Sequence, residues 1–60
     1  MKFFAYDIGE DLRLELGWLF SGQIADWSNR TIEVHLSTCE EWEYFLNYME
    51  YNDKEVIAVK

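Results

Sequence analysis

Sixty residues with twelve Asp and Glu against five Lys and Arg give a formal net charge of −7. Phosphates repel such a chain, which counts against bare nucleic acid and an anionic membrane surface as direct partners and makes a basic protein surface the natural complement. Half of the residues are hydrophobic and 18% are aromatic, which argues against disorder despite the charge.

Residues 2–8 alternate as a strand, with Phe4, Tyr6 and Ile8 on one side. Phe3 and Ala5 on the other side imply that both faces are partly covered. Asp7, Gly9, Glu10 and Asp11 then surround a turn. Their spacing fits no calcium loop, so a solvated hairpin turn is expected. Over residues 12–20, Leu12, Leu14, Leu16, Trp18 and Phe20 alternate with Arg13, Glu15, Gly17 and Leu19, a period of two that reads as a strand. Leucine and glutamate also favour helices. Gly17 decides for the strand, because it weakens a helix interior and can mark a bulge or bend in a strand. Ser21 and Gly22 break the pattern, residues 23–27 read as a short strand or an irregular edge, and Ser28 and Asn29 make a turn. Residues 30–36 alternate again, with Ile32, Val34 and Leu36 toward the core and Thr31, Glu33 and His35 outward.

Residues 37–51 read as the one helix. Ser37 and Thr38 are both good N-caps, and each is followed three residues later by a glutamate, Glu40 or Glu41, at capping-box spacing. Glu40, Glu41 and Glu43 also lie where the positive end of the helix dipole favours anions. Asn52 and Asp53, residue types that tolerate left-handed backbone, mark the end. At about 100° per residue, Cys39, Trp42, Phe45, Leu46 and Met49 form the core stripe. Glu40, Tyr44, Asn47 and Tyr51 lie opposite it, Glu41 and Tyr48 on one shoulder, and Glu43 and Glu50 on the other flank. Residues 54–59 close the chain as a strand that is apolar on both sides, which places it inside the sheet.

The sum is one α+β domain spanning residues 1–60. It is a two-layer fold in which an antiparallel sheet of three to five strands carries one helix, in the order β-β-β-α-β. A chain this short buries only about 60% of its unfolded surface, so stability is marginal. With no proline and three glycines, most of the chain is regular structure. A single cysteine makes no internal disulfide, which fits a reducing cytoplasm, and Cys39 is expected to be a buried structural thiol. The N-terminal stretch is no signal peptide, since its apolar run is short and acids interrupt it. No segment reaches membrane-spanning length.

Little points to catalysis. His35 is the only histidine, and Glu33 on the same strand face is within reach, but a surface ion pair or a plain exposed histidine explains this equally well. One His and one Cys are too few for zinc, and no glycine loop cradles phosphate. No enzyme activity, metal or cofactor is expected.

The helix is where function is expected. Charged residues alone usually form a solvated face. Three tyrosines off the core stripe shift the balance, because tyrosine offers a binding surface rigid area plus a hydroxyl. Packing under a neighbouring loop, or a homodimer seam, would also account for them. Glutamates three or four apart on a helix are about 5–6 Å from one another, of the order of successive phosphates on a nucleic-acid strand. The expected partner-binding set is Glu40, Glu41, Glu43, Tyr44, Asn47, Tyr48, Glu50 and Tyr51, extended by Asp7, Glu10 and Asp11.

In size, charge and composition, an acidic strand-rich chain with a helix such as CEEWEYFLNYMEY resembles the phage-encoded anti-CRISPR proteins, some of which mimic DNA. That resemblance implies an inhibitor in the host-cell cytoplasm, monomeric or homodimeric. Its target would be a Cas effector subunit or another nucleic-acid-handling host protein. The alternative is an antitoxin-like or immunity-like interaction module, or a small homodimeric structural protein.

Overall fold

A computed structural model describes residues 1–59. Strand β1 (Lys2–Ala5) leads into helix α1 (Glu10–Leu19), strands β2 (Ile24–Ser28) and β3 (Thr31–His35), helix α2 (Cys39–Tyr51) and strand β4 (Val56–Val59). The sheet runs β2-β3-β1-β4 with every neighbouring pair antiparallel. The chain is α+β in two layers, but it holds two helices, and its βαββαβ order is that of the split βαβ motif.

One face of the sheet makes the core. The register sets Phe3 beside Val34 and Ala5 beside Ile32, and all four side chains are buried. Leu16 and Phe20 come onto them from α1 and its C-terminal cap, and Phe45 and Met49 from α2. Both helices therefore cover the same face. On β1 the core residues are Phe3 and Ala5. Phe4 is half-buried on the open face, Tyr6 is exposed, and Ile8 is buried beyond the strand.

The segment expected as a second strand is α1. Leu12, Leu16 and Phe20 belong to a period of two, but they also recur every fourth residue, as one helical face requires. Leu19 joins that face, packed against the core with Leu12. The other two alternating residues point outward, with Leu14 67% and Trp18 84% exposed. Gly17 faces solvent, and a Cβ added there meets nothing within 4 Å. It lowers helix propensity without disturbing packing. Glu10 and Asp11 open this helix, where its dipole favours acids, and so do not flank a hairpin turn.

Asn29 and Arg30, both at positive φ (48° and 64°), make a two-residue link between β2 and β3, the geometry whose twist matches paired strands. Ile24 faces Val34 and Asp26 faces Glu33, so Ala25 is an extra residue, a β-bulge. The bulge lets Ile24 and Trp27, three apart, both pack toward the core.

On α2, Thr38 is the cap. Its hydroxyl accepts from the Glu41 backbone N–H (3.2 Å), and the Glu41 carboxylate accepts from the Thr38 N–H (3.0 Å). Asp53 at φ 57° turns the chain out of the helix. The apolar stripe is narrower than expected. Phe45 and Met49 are buried and Trp42 is half-buried, but Leu46 is 41% exposed and Cys39 is exposed. Cys39 is the first residue of the helix, and Leu46 lies on the flank beside β4. That strand is an edge, not an interior strand: it pairs with β1 alone, and β1 and β3 hold the centre. At this edge, Ile57 on the second apolar face of β4 and Leu46 stay partly open.

Candidate functional site

Seven of the twelve acids lie on the helices: Glu10, Asp11 and Glu15 on α1, and Glu40, Glu41, Glu43 and Glu50 on α2. Only one of the five cations, Arg13, lies there, so the helices carry −6 of the −7 and the rest of the chain −1. Arg13 is turned away, its guanidinium 4.9 Å from the centre of the Trp27 ring on β2.

The helices sit side by side. Tyr48 donates its hydroxyl hydrogen to the Glu15 carboxylate, and its ring meets Phe20 edge-on at 6.4 Å. Burial, and after it the neighbouring Glu15 carboxylate, pushes the Tyr48 hydroxyl up to about 12. Tyr48 is therefore a half-buried joint between helices, not an outward anchor. Tyr44 rests on Phe20 at 5.4 Å and is still 52% exposed. Tyr51 is 89% exposed. The helices start from the ends of the antiparallel strands β1 and β3, so they too are antiparallel. From the Tyr48–Glu15 contact, a rise of about 1.5 Å per residue brings Tyr51 level with the first turn of α1, and Tyr44 level with its last.

The outer surface thus spans both helices. Tyr44, Tyr51, Asn47 and Glu40 face outward on α2, beside Leu14, Trp18 and the carboxylates of Glu10, Asp11 and Glu15 on α1. The period of two places Leu14 and Trp18 on one side of a strand together with Leu12, Leu16 and Phe20, whereas the helix turns them outward. The signal that finds them is their i, i+4 spacing opposite Leu12, Leu16 and Leu19. Trp18 is the most exposed large aromatic after Tyr51.

Other residues of the expected set lie elsewhere. Glu41 is taken up by the capping box, and the Gln23 side-chain amide donates to it at 2.5 Å. The Ser37 and Thr38 backbone N–H groups, then Gln23, hold the Glu41 carboxyl below its ordinary range. Glu43 is exposed, and Glu50 lines a depression of about 430 Å³ beside β4. Asp7 sits in the loop before α1, 3.1 Å from the Arg30 guanidinium and 3.5 Å from the Lys54 ammonium. Arg30 first, then Lys54, holds its carboxyl low. Its charge is matched locally, so it adds little to the field of the helix face.

His35 Nε2 lies 2.5 Å from Glu33 Oε2 on the open face of the sheet, so of the two readings left open the ion pair is the one that forms. Among the described residues, the side-chain partner of that histidine is Glu33, a carboxylate and not a nucleophilic hydroxyl or thiol. Among the described residues, no group of three His, Cys, Asp or Glu is placed to hold a metal ion. Among the same residues, no helix is long and apolar enough to cross a membrane.

Comparison with protein-family models, with curated proteins and with solved structures returns no match. The geometry of the two helices carries the functional reading.

Proposed function

We propose that this chain is a small acidic inhibitor that docks the outer face of α1 and α2 into a basic protein groove built for nucleic acid. An anti-CRISPR-like block of DNA or RNA access to a Cas effector in the host cytoplasm is its most specific form. The observation that carries it is the segregation of charge: a net −6 on the two helices, with Glu10, Asp11, Glu15 and Glu40 on the outer side that displays Trp18 and Tyr51. Carboxylates spaced along a rigid pair of helices occupy phosphate sites, speed the encounter and make it salt-sensitive. The desolvated aromatics slow dissociation. In this reading the chain needs no catalytic group or cofactor, because occupying the groove is sufficient.

The test is competition. Guide-loaded Cas effectors are incubated with the chain, and target-DNA retention is read by gel shift at low and high salt. The proposal expects at least one effector to lose DNA, less so at high salt. Undiminished DNA binding by every effector would remove Cas proteins as the target. Inhibition indifferent to salt would remove the electrostatic mechanism.

A further inference from the structure

We infer that the free edge of β4 is a second docking site, one that accepts an extended, basic segment of a partner protein as a fifth strand. The surface is separate from the outer helix face, and the inference stands or falls independently of the inhibitor reading.

The two edges of the sheet are built differently. On β2 the edge is blunted by a bulge at Ala25 and by Asp26, both common defences against strand addition. On β4 the sequence VIAV has neither bulge, charge nor proline, and its register with β1 is regular over all four residues. Among the described residues its backbone pairs on one side only, so its outward N–H and C=O groups are a ready template. Ile57 is 44% exposed on the open face of the sheet.

Beside this edge lies the depression of about 430 Å³. Leu46 and Val56 give it an apolar floor, and Glu50, Asp53 and Glu55 surround that floor with carboxylates. The one cation there, Lys54, points its ammonium toward Asp7. A strand laid along β4 sends alternate side chains to either face of the sheet. On the helix side they meet Leu46 and the acids, and on the open side they meet Ile57. A segment alternating lysine or arginine with aliphatic residues satisfies both. A second copy of this chain fits worse, because edge-to-edge pairing brings its own Glu50 and Glu55 toward these.

The probe is an end-capped hexapeptide of alternating lysine and valine, with a glutamate–valine hexapeptide as its counterpart. Both are titrated into the ¹⁵N-labelled chain. The lysine peptide should shift the amides of residues 56–59 and slow their hydrogen exchange. The Glu50→Lys and Leu46→Lys variants, changed at exposed positions, should weaken this at least tenfold, and the glutamate peptide should do nothing. Shifts confined to the outer helix face, no shifts at all, or binding unchanged in both variants would overturn the site. So would sedimentation showing that a second copy already occupies this edge.

Discussion

Gly17 stands in the middle of α1 with nothing near its missing side chain. Glycine in a helix interior is worse than alanine by about 0.5–1 kcal/mol. Gly17→Ala should therefore raise Tm by roughly 2–8 °C for a domain of this size, measured by thermal circular dichroism. A lower Tm would mean that this segment is not helical. Tyr48 makes a different point. Its hydroxyl is pushed from an ordinary 10.0 to about 12 in the folded chain. The folded state thus holds that proton more tightly than the unfolded chain does. The stability this contributes is complete below about pH 10 and is lost as pH rises toward 12. Urea unfolding at about pH 9 and about pH 11.5 should show a larger loss for the native chain than for Tyr48→Phe, which has no proton to release. Equal losses would mean that the Tyr48 hydroxyl is neither buried nor held by Glu15 as the fold places it.

At the scale of elements, α2 is held by its cap and its core stripe. Thr38→Ala removes one half of the capping box and should cost about 1 kcal/mol. Glu41, held below its ordinary 4.5, contributes stability that is present above that value and lost as pH falls through the folded one. Glu41→Gln should accordingly flatten the acid limb of a stability–pH curve. Phe45, packed against Phe3 and Phe20, is the largest fully buried side chain of this helix. Phe45→Ala should cost about 3–5 kcal/mol, enough to leave so small a domain largely unfolded at room temperature. α2 was legible in the sequence because cap, stripe and C-terminal turn agree. The strand of Ile32 and Val34 was legible because strict alternation matches a half-buried sheet. α1 was not: Leu12, Leu16 and Phe20 satisfy periods of two and four alike, and Gly17 tipped the choice. Only packing against the sheet separates the two readings. Losing that helix also hides Leu14 and Trp18, so the expected surface takes its aromatics from α2 alone and only the acids Glu10 and Asp11 from what is α1. The place of β4 was misread for a related reason. Residues apolar on both faces suggest an interior strand, yet here the second face lies open at an edge.

For the whole molecule, the governing feature is that charge and architecture divide together. The helix layer holds nearly all the excess negative charge, while the sheet and loops are close to balanced. On the proposed function, a field organised this way would orient a basic partner toward the helices before contact, and the exposed aromatics would then set how long it stays. Trp18 and Tyr51 touch little within the chain, so removing them leaves the fold intact. As central anchors, each is worth about 2 kcal/mol or more of binding, roughly thirtyfold in Kd. The most direct measurement takes the effector that the competition test of the proposed function identifies, and compares its Kd for the native chain and for the Trp18→Ala/Tyr51→Ala variant, with circular dichroism confirming equal folding. The account predicts a loss of at least about a hundredfold in the variant, with a steep salt dependence retained. A variant that binds as tightly as the native chain would contradict it and place the docking surface elsewhere on the molecule.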